Sequence, residues 1–292
     1  MPIPGQLAPA FVWRAFFVLA VAAASAFAAA PATLPTGLAQ VGKPDAAESR
    51  RMLEQFRQSG ITGEYFLEFE LRQLPRRGDE RVFKGRVWAS RNSRGTIVRI
   101  ALSDAAGQEH RLLVQNGAQP AVWAYAAGKL TQPGMTALLE PLVGGVELTA
   151  FDLQMPFLSW PEVECTALVR VLGRPAYAFF FRPPATFATQ HPEPAAVRAY
   201  FDAQFNAPTQ TELLDATGRV TKTLSLVELK SVGPQTLPRV LEVRNEPTRD
   251  KPRFVITAAA LDLNFSSVVF EPASLAEDIR PPAADRLVRL TP

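Results

Sequence analysis

A single apolar segment interrupts a chain that otherwise consists of one strand-like stretch after another. Residues 65–72 alternate apolar and polar side chains with a period of two, which is typical of a strand with one buried face. Similar stretches lie on both sides of the interruption, and the last long one spans 253–263. Residues 134–160 (GMTALLEPLVGGVELTAFDLQMPFLSW) are apolar and are broken at Gly144 and Gly145. We therefore predict a mainly β fold in which this central segment covers a sheet.

The number and order of the strands favour one strongly curled antiparallel sheet. About eleven strands, with few helices, predict an incomplete β-barrel whose concave face is hydrophobic. One predicted helix spans 45–59, begins at a capping Asp45 and carries its apolar side chains on one face. In the central segment, Thr149 is predicted to cap a second helix together with Asp152. No linker-like break occurs within residues 45–280, so we predict a single domain there.

The N-terminus has the pattern of an export signal. An apolar run at 15–24 is too short to span a bilayer comfortably, and the small-x-small motif at 26–28 follows it. This predicts a signal peptide at 1–28 and export to the periplasm, with an uncleaved N-terminal anchor as the alternative. Residues 29–44 are predicted to be a Pro/Ala-rich tether, and residues 281–292 a Pro-rich tail.

The residue inventory argues against several classes of function. Removal of a signal peptide with Arg14 leaves 30 basic residues (31 minus 1) against 28 acidic ones, which disfavours a nucleic-acid partner. Cys165 is the single cysteine, so no internal disulfide is possible, and its apolar neighbours predict a buried side chain. His110 and His191 are the two histidines, and neither lies in a ligand-like cluster. We predict no metal, no cofactor and no enzymatic activity.

The aromatic content instead suggests a binding cavity. Phe179, Phe180 and Phe181 place aromatic rings on both faces of one strand, so each face needs a cover. The simpler explanation is an ordinary packed core. A strongly curled sheet, however, encloses more volume than a few short helices fill, and barrel-like folds of this size often hold an apolar ligand.

Residues 85–91 (GRVWASR), residues 214–223 (LDATGRVTKT) and several shorter stretches together resemble the LolA-like family of periplasmic outer-membrane lipoprotein-sorting proteins. Residues 85–91 (GRVWASR) resemble that family's G-x-(apolar)-W-x-x-R strand, with Asn92 where a proline is usual. Residues 214–223 (LDATGRVTKT) resemble its D-x-x-G-x-x-x-K-T hairpin. The stretches at 237–245 and 270–275, which follow this hairpin, belong with it to the strongest match, and the Asn116-Gly117 turn with the following VWAY strand and residues 142–153 also match. The order and spacing of these stretches carry the resemblance over most of residues 45–275.

The resemblance implies a fold and an activity. The fold is an incomplete β-barrel of about eleven strands with helices lidding its concave side. The activity is binding of lipoprotein acyl chains, or of another lipid, and their transport from an inner-membrane donor protein to an outer-membrane acceptor. Arg91 would occupy the position of an arginine that latches the lid, and Gly144 and Gly145 would be the lid hinge. No nucleic-acid partner is implied.

The expected cavity is lined by apolar side chains from the strands and from the lid. This set assumes that Tyr65 faces inward, and it comprises Tyr65, Leu67, Phe69, Val87, Trp123, Tyr125, Leu138, Leu142, Phe151, Leu153, Phe157, Phe179 and Phe181. Two alternatives remain open. One is an envelope sensor or interaction module with a solid interior, and the other is a secreted hydrolase, which the isolated histidines disfavour.

Overall fold

Fifteen strands form one antiparallel sheet in the described part of the chain. A computed structural model describes residues 38–58, 60–73, 79–117, 119–204 and 207–290. Its α-helices are α1 (Ala46–Gln58), α2 (Ala150–Gln154) and α3 (Ala185–Gln190). Its strands are β1 (Gln40–Gly42), β2 (Glu64–Gln73), β3 (Arg81–Asn92), β4 (Gly95–Ser103), β5 (Glu109–Gln115), β6 (Ala121–Ala126), β7 (Lys129–Thr131), β8 (Glu162–Val171), β9 (Arg174–Arg182), β10 (Ala196–Asp202), β11 (Pro208–Leu214), β12 (Val220–Val232), β13 (Gln235–Asn245), β14 (Arg253–Leu263) and β15 (Val288–Arg289).

The sheet is open. Its order is β1-β8-β9-β10-β11-β12-β13-β14-β2-β3-β4-β5-β6-β7, and β15 pairs with β14 outside this path. Among the described strands, β1 and β7 therefore lie at the two edges of this path. The prediction of one open antiparallel sheet is confirmed, but the described strands number fifteen rather than about eleven. The strands that the pattern missed, β1 and β15, have three and two residues, which is too short for an alternation to be visible.

Both predicted terminal segments contribute to the sheet. β1 lies within the predicted tether at 29–44 and pairs with β8. β15 lies within the predicted Pro-rich tail at 281–292, and Leu290 is buried at 3% exposure. The Leu290 amide donates to the Thr257 carbonyl at 2.8 Å. The predicted signal peptide at 1–28 and the first part of the tether lie outside the described residues.

One hydrophobic core joins both halves of the sheet. It includes side chains from α1, from strands as distant in the sheet as β4 and β9, and from the central segment. Strands so far apart share a core only when the sheet curls around it. The predicted N-terminal helix is confirmed as α1, in which Asp45 accepts a hydrogen bond from the Glu48 amide at 2.7 Å. Its buried Phe56 stacks on Phe201 with ring centroids 3.7 Å apart.

A second layer on the convex face was not predicted from the sequence. Two 3-10 turns, Ser267–Phe270 and Pro272–Ala276, pack across β4 to β7. Arg99 is only 1% exposed beneath them and donates to the carbonyls of Ser274 at 3.0 Å and Glu277 at 2.6 Å. Burial, reinforced by the charge of Arg111, lowers the pKa of Arg99 to about 10. Arg99 thus fastens the C-terminal segment to the sheet.

Replacing Gly85 with alanine is expected to destabilise the fold by about 1–3 kcal/mol, because an added side chain overpacks a full core. A Cβ there would overlap the buried ring of Phe69 and would lie 2.8 Å from the Ala101 carbonyl oxygen. Urea unfolding monitored by circular dichroism measures the change. Gly42→Ala is the control, because a Cβ at Gly42 meets no atom within 4 Å. Equal unfolding midpoints for the two variants would contradict this packing.

Candidate functional site

The central segment, residues 134–160, consists of three short turns and a loop. A 3-10 turn at Met135–Leu139 comes first, and α2 and a second 3-10 turn at Pro156–Ser159 complete it. Between them, Pro141 and Thr149 form an isolated β-bridge, and the Leu142 amide donates to the Leu148 carbonyl at 3.0 Å. The helices expected to lid the concave side are therefore single helical turns in the structure.

The predicted cap of α2 is confirmed. The Thr149 amide donates to Oδ2 of Asp152 at 2.9 Å, and the Asp152 amide donates to the Thr149 hydroxyl at 3.2 Å. The same Oδ2 accepts a bond from the Thr149 hydroxyl at 2.8 Å and forms an ion pair with Nζ of Lys222 at 3.0 Å. The side chains of Asp152 and Lys222 are only 3% and 12% exposed. This carboxylate therefore both orders α2 and joins it to β12.

Aromatic rings attach the underside of the central segment to the sheet. Phe157 packs edge-on against Phe181 of β9 with ring centroids 5.2 Å apart. Phe151 and Trp160 lie 6.1 Å and 5.4 Å from the ring of Phe187 in α3. The short helix α3 therefore forms a wall of the core. Ring pairs of this kind stabilise packing by about 0.5–1.5 kcal/mol beyond their buried area.

Most of the predicted cavity residues share this concave core. Buried in it are Leu67, Phe69, Val87, Leu138, Leu142, Phe151, Phe157, Phe179 and Phe181, and Tyr65 and Leu153 pack at its margin. Trp123 and Tyr125 do not, because they lie on the convex face with Leu275. In β6 it is Val122 that faces the core. Since side chains alternate along a strand, a one-residue error in register moved both aromatic residues to the wrong face.

The concave core is packed in this structure. Cavities of about 420 and 350 Å³ open elsewhere, and the central segment lines neither of them. The larger cavity has an apolar floor of Val227, Val240 and Val255, and the smaller has charged walls that include Glu68 and Lys84. An acyl chain could therefore reach the concave face only after the central segment had moved.

Polar side chains from the surrounding structure hold the margin of the central segment. We call their bonds the perimeter contacts. Arg57 of α1 donates to the Leu158 carbonyl at 2.7 Å, and Arg81 of β3 donates to the Gly145 carbonyl at 3.3 Å. The other perimeter contacts are Asn116 to the Gln154 carbonyl at 3.1 Å, Asn245 to the Glu147 carboxylate at 2.8 Å, and the Lys222–Asp152 ion pair. They come from five separate parts of the chain.

Arg91 is not among the perimeter contacts, contrary to its predicted role as a latch. It is exposed near the end of β3 and, within the described chain, donates no hydrogen bond to residues 134–160. It does influence Tyr65 electrostatically: burial raises the pKa of that phenol to about 12, and the charge of Arg91 opposes the rise. The fastening role assigned to one arginine is distributed instead over the perimeter contacts.

The predicted hinge glycines lie at a loop tip. Gly145 has φ +79°, and a Cβ there would lie 2.8 Å from the Arg81 guanidinium. The Pro141–Thr149 bridge holds the two sides of this loop together. In this structure, Gly144 and Gly145, the predicted lid hinge, therefore form a turn that contacts Arg81.

One perimeter residue had a usable signal in the sequence. Lys222 is the lysine of the D-x-x-G-x-x-x-K-T stretch. It lies on the same side of β12 as Leu224 and Leu226, which face the core. A lysine in an inward-facing row needs a buried acid as a partner. Asp152 in the apolar central segment is the matching acid.

Asp215 belongs to the same D-x-x-G-x-x-x-K-T stretch as Lys222. Its carboxylate accepts hydrogen bonds from Thr217, chiefly from the hydroxyl, and from Arg219. These hydrogen bonds hold the pKa of Asp215 well below the usual range.

The described residues contain no helix that is both long and apolar enough to cross a bilayer. They also contain no group of three or more histidine, cysteine or acidic side chains arranged to hold a metal ion.

No protein-family model matches this sequence, and no curated protein matches it. Solved structures do match its fold. A DUF1329 family protein from Desulfovibrio piger is 11% identical, has a TM-score of 0.65, and the match covers 78% of this chain and 98% of that one. An outer membrane lipoprotein-sorting protein domain from Vibrio parahaemolyticus is 11% identical, with a TM-score of 0.63 and coverages of 77% and 97%.

A LolA superfamily protein from Nitrosomonas europaea also matches the fold of this chain. It is 12% identical, has a TM-score of 0.61, and the match covers 76% of this chain and 96% of that one. Together these structures show that the chain has a LolA-like fold, as its sequence motifs predicted.

Proposed function

We propose that this protein binds the acyl chains of a lipid or lipoprotein on its concave face and carries them through the periplasm toward the outer membrane. The observation that carries the proposal is an apolar concave core that is covered by a segment held at its margin by the perimeter contacts. The LolA-like fold supports it, because structures with this fold include a protein domain named for outer membrane lipoprotein sorting and a LolA superfamily protein.

The energetics favour reversible binding. Each methylene group that leaves water contributes about 0.8 kcal/mol, so a long acyl chain contributes roughly 10 kcal/mol when most of it is buried. Moving the central segment breaks charge-assisted bonds worth roughly 1.5–3 kcal/mol each and exposes apolar side chains such as Phe151 and Phe157. The acyl chain then takes the place of those side chains on the sheet. Because gain and cost are similar in size, cargo can be both loaded and released.

The transport route is part of the proposal. The predicted signal peptide favours a periplasmic location. A carrier there would receive lipoproteins from an inner-membrane donor protein and deliver them to an outer-membrane acceptor. The proposed role is binding without catalysis.

Lipid extraction and probe uptake test the proposal together. We expect organic extraction of protein purified from the cell envelope to release a lipid that mass spectrometry detects. We also expect the delipidated protein to bind a fluorescent fatty-acyl probe with one site per chain. Absence of both the extracted lipid and the probe signal would refute the proposal.

The packed interior favours a second candidate, an envelope sensor or interaction module whose concave core is structural. The central segment lines neither described cavity, as such a module requires. The two candidate functions predict different rates of amide hydrogen exchange in residues 134–160. A carrier should show faster amide hydrogen exchange in this segment than in β9 and β10, whereas a structural core should exchange as slowly as the sheet.

A further inference from the structure

The turn between β8 and β9 exposes a large apolar side chain. Val171 pairs with Arg174, so Leu172 and Gly173 form a two-residue hairpin turn. Their φ angles are +49° and +82°, as in a type I′ turn, which favours asparagine, aspartate or glycine. Leucine is unfavourable in this conformation, and Leu172 is also 82% exposed. Neither the backbone nor packing against the residues that the structure describes explains a leucine here.

A second turn in the same sheet has the same backbone conformation without a leucine. Ala127 and Gly128 join β6 to β7 with φ angles of +49° and +77°, and Ala126 pairs with Lys129. The two turns therefore have the same shape. Because the strands form a meander, the turns lie at opposite rims of the sheet. Of these two turns, only the one between β8 and β9 places a large apolar side chain at its tip.

The rim of the sheet that carries Leu172 also carries exposed cations. Strand direction places the β3–β4 and β12–β13 turns at the same rim as Leu172. Exposed cations on these elements are Arg91, Arg94, Arg170 and Lys230, whereas Arg174 pairs with Asp202 at 2.6 Å. Asp262 is an exposed acid at this rim. We call the surface formed by Leu172 and the four exposed cations the Leu172 rim.

We propose that the Leu172 rim docks on a membrane surface that contains anionic lipids. A single protruding leucine is too small to be the centre of a stable protein interface, which buries about 800 Å² on each partner. It suits a bilayer interface, where one apolar side chain enters the headgroup layer while Arg170 and the other cations on the same rim attract acidic headgroups. This surface lies outside the concave core, so the inference does not depend on acyl-chain binding there.

Vesicle sedimentation with the full chain tests the inference. The protein is expected to bind phosphatidylglycerol-containing vesicles more tightly than pure phosphatidylcholine vesicles. Leu172→Asn should weaken binding about tenfold or more, from the lost burial of one leucine side chain. Arg170→Gln should weaken binding to the anionic vesicles about fivefold and leave binding to neutral vesicles unchanged.

The matched control is Ala127→Asn, which makes the same turn substitution at the opposite rim and should leave vesicle binding unchanged. Asparagine suits both turns, so both variants should melt at or above the wild-type temperature. Wild-type affinity in Leu172→Asn, or no vesicle binding by the unaltered protein, would overturn the inference. Leu172→Asn should still take up a soluble acyl probe. Absence of both probe uptake and extracted lipid in the unaltered protein would instead refute only the proposed carrier function.

Discussion

Replacing Lys222 with methionine is expected to release the central segment while the sheet stays folded. Lys222 neutralises Asp152, whose carboxylate is almost fully buried and also orders α2 through Thr149. Methionine fills a similar volume but leaves the acid without its cation. Breaking a buried ion pair at one partner costs about 3–5 kcal/mol, because an uncompensated charge remains. A segment of three short turns has few other bonds to absorb such a loss.

Amide exchange and probe uptake measure this release. In Lys222→Met, residues 134–160 should lose most of their protection against hydrogen exchange, whereas β9 to β14 should keep theirs. A soluble acyl probe should bind faster, because its rate no longer includes the full cost of displacing the segment. Lys129→Met removes an exposed lysine from edge strand β7 and is the control for loss of positive charge.

A second substitution separates charge from packing. Asparagine at position 152 can still accept the Thr149 bonds but carries no charge. The double variant Asp152→Asn/Lys222→Met should therefore recover most of the protection lost in Lys222→Met, with a coupling energy above about 1 kcal/mol. Unchanged exchange in Lys222→Met would show that the ion pair does not hold the segment.

The strands were predictable because their alternation is local. Residues 65–72 show their buried face in the order of their side chains, and β2 has nearly those bounds. The Thr149–Asp152 cap was predictable for the same reason, since both residues lie within one helical turn. Features decided over a few residues of the chain are visible in its sequence.

Features that depend on distant contacts were not visible. Arg57 meets Leu158 across 101 positions of sequence, and Arg99 meets the Ser274 carbonyl across 175. No local pattern encodes such pairs, so the perimeter contacts and the convex C-terminal layer had to come from the structure. The placement of Trp123 and Tyr125 failed for a related reason. Alternation fixes which residues share a face, but only the sheet decides which face is concave.

Cross-linking the central segment to the sheet is expected to abolish acyl-probe uptake. Asn245 at the end of β13 donates to the Glu147 carboxylate at 2.8 Å, so these side chains are close enough for a short linker. Cysteines at both positions, in a Cys165→Ser background, can be joined by a bifunctional methanethiosulfonate reagent and released by dithiothreitol. If cargo must displace the segment, the joined protein should bind no probe, and reduction should restore binding.

The control cross-link joins two neighbouring strands of the sheet and leaves the central segment unlinked. Ser231 and Thr236 are register partners across β12 and β13, so cysteines there accept the same reagent beside the same hairpin. This cross-link should leave uptake unchanged, and both cross-linked proteins should keep the circular dichroism spectrum of the sheet. Normal uptake by the Glu147–Asn245 cross-linked protein would mean that acyl chains bind without movement of this loop. The concave core would then be structural, and the binding surface would have to lie elsewhere on the sheet.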